Sequence, residues 1–313
     1  MEESKKIKLS LGTVSLSQEL GTYYIDMRPA IIHYENNIYG GKLDERGVPL
    51  INTKIGLIYS PINIAQYGFI MHSRYYETKN KEELEILKNC LAVLEDTKTQ
   101  ENGTCVWYHH YPNDKYELKV PWASAMAQGE VISFYLRMYQ ILLDESLLET
   151  AKQAYNFLRI WKKNGGVRIL DAKHNLWLEE YPTEKPLLVL NGFIYAILGL
   201  FDLHRLTGST EVEADIRACI NTLKNTLREF DTGFWSFYDL GEKELVRYYY
   251  QKNVHIPQLE ILYILTKEPI FIEYKGKWEA YLNFSNYLLV QVLYRVRYRM
   301  PWFYKVILKL WKK

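Results

Sequence analysis

The residues best suited to chemistry fall in three short clusters. Leu178-Glu-Glu-Tyr-Pro182 sets two carboxylates and a phenol just ahead of a helical run that begins near Leu187. Adjacent side chains in extended backbone point to opposite faces, so Glu180 and Tyr181 are expected on the floor and the wall of a cleft. Pro182 holds Tyr181 extended. The second cluster runs from Phe230 to Leu240: Asp231-Thr-Gly233 reads as a turn, and Tyr238-Asp239 ends the short strand after it. The third is Arg247-Tyr-Tyr-Tyr250, followed by His255-Ile-Pro-Gln-Leu259 at a helix start. One guanidinium beside three phenols can bind a carboxylate and keep phenols near it. Carboxylates and phenols are also proton-transfer groups, with reference pKa values of about 4.3 and about 10 that burial and neighbouring charge can move. Each of these residues has a plainer role open to it. Glu180 can be a charge at a helix start, Tyr238 a packed aromatic, His255 a polar group at a helix N-terminus.

Other chemistries lack their signatures. There is no zinc spacing, phosphate loop, dinucleotide fingerprint or nucleophile elbow. His109 and His110 are adjacent, which suits a shared metal ion poorly. Neither a metal nor a cofactor is expected.

The elements that must position these clusters are mostly helical. Apolar residues recur at helical spacing in pairs of segments, 61–74 with 80–96, 124–143 with 146–162, 187–206 with 211–228, and 255–266 with 269–282. Four successive helical hairpins predict a mainly α fold, an α/α toroid. A small N-terminal β region over residues 1–60 precedes the barrel at 61–285, and β-hairpin insertions are expected at 100–122 and around 165–180. A C-terminal tail, 286–313, follows. In such a barrel the long connections at one end build the cleft, and here they carry the unusual residues. Asn191-Gly192 interrupts an apolar helix. Glycine there costs about 1 kcal/mol relative to alanine, so a close approach is expected.

The chain has 313 residues, enough for one or two domains with a large core. Tyrosine supplies 27 of them, an excess that fits either amphipathic packing or a sugar-binding cleft. Residues that are 48% apolar rule out wholesale disorder. No run of 18 uncharged apolar residues offers a membrane span. Three cysteines argue against a disulfide framework and suit a reducing compartment. The charged N-terminus lacks the apolar stretch of a secretory signal, so a cytoplasmic location is expected. After Glu279 no acidic residue remains, and seven basic ones interleave with Trp, Tyr and aliphatics, which leaves −5 for the rest of a chain of net charge +2. Residues 290–313 thus read as a peripheral contact with the inner face of a membrane. A docked helix with a solvated basic face, and attraction to an anionic polymer, are the competing readings. No nucleic-acid motif accompanies the charge.

Read together, the motifs resemble the D-glucuronyl C5-epimerase family. Glu180-Tyr-Pro-Thr, Val189-Leu-Asn-Gly-Phe-Ile-Tyr195 and Gly199-Leu-Phe-Asp-Leu203 are similar to one family signature. Phe230-Asp-Thr-Gly, Tyr238-Asp-Leu240 and His255-Ile-Pro-Gln-Leu259 follow in family order, and Pro61-Ile-Asn-Ile-Ala-Gln-Tyr-Gly68 and Trp122–Gly129 match upstream segments. The resemblance spans residues 20–285 and implies a helical barrel acting on a glucuronate-containing polysaccharide, with a homodimer compatible. It implies that Glu180, Tyr181, Asn191, Tyr195 and Tyr238 line the uronate site, with Gln66, Gln128, Asn63 and His255 as substrate contacts. There are two departures. The family's late catalytic tyrosine stands four residues before the His, where this chain has Gln251; a one-residue bulge would let Tyr250 serve. The family's Arg after Tyr-Asp-Leu is Gly241 here, which leaves Arg247 for the carboxylate. The implied chemistry puts Glu180 and Tyr250 on the two faces of the sugar, with Tyr181 and Tyr238 in support. A polysaccharide lyase shares the first step, and a non-catalytic glycan-binding relative would keep only the cleft.

Overall fold

The structure is a computed structural model that describes residues 7–35, 42–304 and 306. Four helical hairpins form the body: α1 (Pro61–Thr78) with α2 (Lys81–Thr97), α3 (Ala125–Leu142) with α4 (Glu145–Leu158), α5 (Leu190–Thr207) with α6 (Thr210–Phe230), and α7 (Ile256–Thr266) with α8 (Pro269–Ala280). The expected pairs are all present.

One turn geometry closes every hairpin. Lys79, Leu143, Gly208 and Lys267 each take the left-handed conformation, with φ of 57°, 55°, 63° and 59°. Each donates its N–H to the carbonyl four residues back and so ends the first helix. The next residue is extended and starts the second helix. Asn80, Asp144 and Ser209 accept a backbone N–H with their side chains. Glu268 instead precedes Pro269, whose fixed φ suits a first helical position. With these two-residue turns at one end, the long connections 98–124, 159–189 and 231–255 lie at the other.

Short β structure fills those connections and, together with helical turns at Arg28–Ile31 and Ile32–Glu35, the N-terminal region that was expected to be β alone. β1 (Ser10–Leu11) pairs with β2 (Ile25–Asp26), and β3 (Lys42–Leu43), β4 (Pro49–Thr53) and β5 (Gly56–Tyr59) form an antiparallel sheet. The hairpins β6 (Thr99–Glu101) with β7 (Thr104–Val106), and β8 (Arg168–Leu170) with β9 (Leu176–Leu178), occupy the first two connections. The third is held by isolated bridges, Asp231 to Ser236, Phe237 to Leu245 and Val189 to Asp239.

At the centre, α3 and α5 approach until only glycine fits. A Cβ on Gly199 would stand 2.4 Å from the Gly129 carbonyl oxygen, and one on Gly129 would stand 2.5 Å from the Ala196 Cα. The same two helices hold a fully buried charge cluster. Arg137 of α3 pairs with Asp202 of α5 at 2.6 Å, Arg205 reaches Asp202 at 3.1 Å, and the Tyr24 hydroxyl donates to it at 2.7 Å. The two guanidiniums also donate to the carbonyls of Ser17, Glu19 and Gly21. The stretch before β2 is thus bolted to the barrel rather than set apart from it.

The C-terminal segment forms α9 (Phe284–Arg299), which runs through the expected boundary at 286. It docks on the third connection. Val290 and Leu293 are buried, the Tyr294 hydroxyl donates to the Leu245 carbonyl, and Arg297 pairs with Glu244 at 3.4 Å. Residues 1–6, 36–41, 305 and 307–313, part of both expected terminal segments, lie outside the described residues. Cys90, Cys105 and Cys219 are free and buried.

Candidate active site

A cavity of about 280 Å³ opens at the end of the barrel that carries the long connections. Its lining includes Lys115 and Tyr116 from the first connection and Tyr181 from the second. Tyr238, Glu244, Arg247 and Tyr250 come from the third, and Tyr294 from α9. All three chemistry-bearing clusters therefore reach one place.

Glu180 lies directly behind this lining and is 4% exposed. The Tyr238 hydroxyl donates to its Oε1 at 3.2 Å and stands 3.5 Å from the Tyr181 hydroxyl. Burial pushes the Glu180 carboxyl up to about 7, against the opposing pull of the Tyr181 and Tyr238 hydrogen bonds. Burial also drives both phenols well above their ordinary range, with the Glu180 charge adding to it. The carboxyl does not itself line the cavity; Tyr181 and Tyr238 stand between it and the opening. The glycine at 192 has its reason here. A Cβ on Gly192 would fall 2.1 Å from Glu180 Oε2.

Tyr250 reaches the cavity through an irregular turn. Gln251–His255 is a π-helix, and the Ile256 N–H bonds to the Gln251 carbonyl five residues back. In a turn closed this way, the residue five back stands where residue i−4 stands in an α-helix. The extra residue between Tyr250 and His255 is absorbed locally. Gln251 turns inward, accepting from the Ser236 hydroxyl and donating to the Trp278 carbonyl. Tyr250 is 39% exposed in the cavity wall, its ring edge-on to Tyr238 at 6.5 Å. Gly241 has no room for a side chain, since a Cβ would stand 2.7 Å from the Pro186 carbonyl oxygen. The exposed Arg247 brings a guanidinium to the cavity from six residues further on.

Several residues expected to touch substrate do not line this cavity. Gln128 is fully buried, its amide accepting from the Trp107 N–H and donating to the Cys105 carbonyl, so it ties a loop to α3. His255 is fully buried beside Trp278 and hydrogen-bonded to Ser236, and burial holds it down to about 3, a neutral ring. Tyr195 and Asn191 are buried within α5. Gln66 donates to the buried Glu130 at 3.0 Å. Asn63 lines a separate surface concavity with Tyr111, Pro112 and Asp114.

Sequence reasoning passed over Lys115, Tyr116, Glu130 and Tyr294. Lys115 pairs with Glu244 at 2.7 Å and lies over the Tyr116 and Tyr238 rings, and Tyr116 packs on Tyr181 at 4.4 Å. Glu130 is fully buried, its carboxyl driven well above the usual range mainly by burial, with the Glu180 charge a smaller cause. Its signal was visible as the single acidic residue in the run Ala125–Met138.

Three buried carboxyls near the site make stability pH-dependent. Glu179 and Glu180 are raised to about 7 and Asp239 to about 6, burial being the first cause in each. A carboxyl with a raised folded value holds its proton more tightly in the native state, so stability falls as pH rises through the window between the ordinary and raised values. Buried His72, His109 and His255, each held down to about 3 by burial, act in the opposite sense up to the ordinary histidine value of about 6.5. The denaturation midpoint is therefore expected to drop from about pH 6.5 to about pH 8, where the carboxyls act alone, and a midpoint that rises over that interval would contradict these assignments.

Barrel and site together define an α/α-toroid protein with a cleft of phenols backed by a buried carboxyl. The α-mannanase of Bacteroides thetaiotaomicron shares the fold, with a TM-score of 0.51 at 12% identity over 80% of this chain and 65% of that one. A family described as D-glucuronyl C5-epimerase C-terminus matches residues 95–280, and the chain belongs to it, a family of carbohydrate epimerases. An uncharacterized protein of Methanocaldococcus jannaschii is 29% identical over 241 residues, 72% of this chain and 78% of its own. The D-glucuronyl C5-epimerase of Caenorhabditis elegans is 33% identical over 185 residues, 53% of this chain and 30% of the worm protein. The match thus spans under a third of that enzyme's length.

Proposed function

We propose that the protein epimerises glucuronate residues of a polysaccharide at carbon 5. The observation that carries the reading is the Tyr238–Glu180 hydrogen bond behind a cavity that also presents Tyr250, Arg247 and Lys115. Epimerisation removes the proton alpha to the sugar carboxylate. The planar, enolate-like dianion is then protonated from the opposite face. Tyr238 takes the proton from carbon 5 and passes its own to the Glu180 carboxylate, which is largely ionised above neutral pH. Arg247 binds the sugar carboxylate, and Lys115 and Arg297, which share Glu244 as their partner, leave one net positive charge beside the place where the dianion forms. Tyr250 gives its proton to the other face and regains one from solvent, and Glu180 releases its proton back through Tyr238. Tyr181 keeps the phenol pair aligned.

The direct test is incubation of glucuronate polymer with the protein in heavy water. Deuterium at carbon 5 without chain cleavage is the expected result. Unsaturated, ultraviolet-absorbing ends would instead indicate a lyase, and binding without exchange a lectin. Gly192→Ala is expected to cut exchange about 100-fold, because the new methyl displaces the carboxyl by an ångström or more. Unchanged exchange in a folded G192A protein, checked by circular dichroism, would show that Glu180 does not need its place.

A further inference from the structure

Helix α9 is apolar on two sides. Its inner side buries Val290 and Leu293 against the body. On its outer side Phe284, Leu288 and Val292 are 74%, 48% and 52% exposed, and Arg295 and Arg299 continue the same line. At about 100° per residue, these five fall within about 80° of arc. Neither arginine has an ion pair among the described residues. Beyond the helix Trp302 is 68% exposed, while the buried Tyr304 donates to the Lys243 carbonyl at 3.0 Å and fixes the segment. A helix with two apolar sides, only one of them packed on the body, leaves the other to be covered. Large apolar side chains in line with cations, in a stretch without one acidic residue after Glu279, have the chemistry of a segment lying in the headgroup layer of an anionic bilayer. No helix among the described residues is long and apolar enough to cross a membrane, so the contact is one of lying on the surface.

We propose that the outward face of α9 docks the protein on an anionic lipid surface. Anionic lipid is favoured over a second copy of the chain because an identical basic stripe would meet its own charge. It is favoured over a soluble polyanion because Phe284, Leu288 and Val292 have no role in binding a hydrated polymer.

The test is co-sedimentation of the full chain with vesicles of phosphatidylcholine alone or mixed with phosphatidylglycerol. Binding to the mixed vesicles only, weakened by salt, is expected. Joint Arg295→Gln and Arg299→Gln replacement should weaken it about thirtyfold. Joint Phe284→Ser, Leu288→Ser and Val292→Ser replacement should weaken it at least about tenfold. All five side chains are exposed, so circular dichroism should match the parent. None lines the cavity, so exchange on a soluble substrate should also match, which separates this test from that of the proposed reaction. Failure to bind mixed vesicles overturns the proposal. So does full binding by the serine variant with complete competition by dextran sulfate, which marks a polyanion site. A lipid-free dimer that the serine variant abolishes overturns it as well, by making the face a contact between copies.

Discussion

Glu180→Gln is expected to lower exchange at carbon 5 by about 10²- to 10⁴-fold, the usual worth of a positioned acid–base group. Glutamine keeps the shape, and its amide oxygen can still accept the Tyr238 hydroxyl. It cannot take the proton that Tyr238 must shed. The change also places an amide NH₂ where Oε2 now lies buried without a partner among the described residues, so a stability loss of about 1–3 kcal/mol accompanies it. That loss is small enough for a folded protein, and thermal unfolding should remain a single transition. The parent should show a rising limb in exchange rate against pH with a midpoint near 7, where the raised carboxyl ionises. In the variant the limb should vanish with the activity. Full activity in a folded Glu180→Gln protein would remove Glu180 from the mechanism. Tyr238→Phe is the companion change, and retention of exchange there would break the relay at its other end.

Asp202→Ala is expected to destabilise the protein by about 3–5 kcal/mol, the cost of removing one partner from a buried ion pair. Asp202 is the only acid contacting Arg137 and Arg205 among the described ion pairs, and its deletion strands two buried guanidiniums. It also removes the acceptor of the Tyr24 hydroxyl. The loss should appear as a lower urea midpoint. It should be greatest for the stretch before β2, whose carbonyls those guanidiniums hold, and amide exchange over residues 17–26 should accelerate first. Asp202→Asn would leave a polar acceptor and cost less. A small loss in both variants would mean that water already relieves the cluster.

Much of the fold was legible because the hairpins announce themselves locally. Leu84, Leu87, Leu91 and Leu94 repeat at helical spacing, and Asn80, Asp144 and Ser209 are residue types that cap helices. The site was legible where side chains of telling chemistry stood together, as in Glu180-Tyr181 and Arg247 to Tyr250. What stayed hidden depends on distance along the chain. Nothing local tells that Lys115 will lie over Tyr238, or that Arg137 will find Asp202. Gln128 and His255 occupied family motif positions, and motif position alone does not separate a residue that holds a wall from one that faces the cavity. The π-turn was half legible, since the shifted tyrosine called for a one-residue bulge and only the backbone shows its form, a π-turn over Gln251–His255.

The repeated hairpin turn has a consequence for how such a protein can change. Its two-residue form clamps each helix pair at one end, so the pairs keep their mutual register whatever happens at the other end. The three long connections are then free to lengthen, shorten or be exchanged without sliding a helix. They also supply most of the cavity wall. Length variation falls here on the parts that line the cavity, and a new preference there can evolve while the barrel keeps its shape.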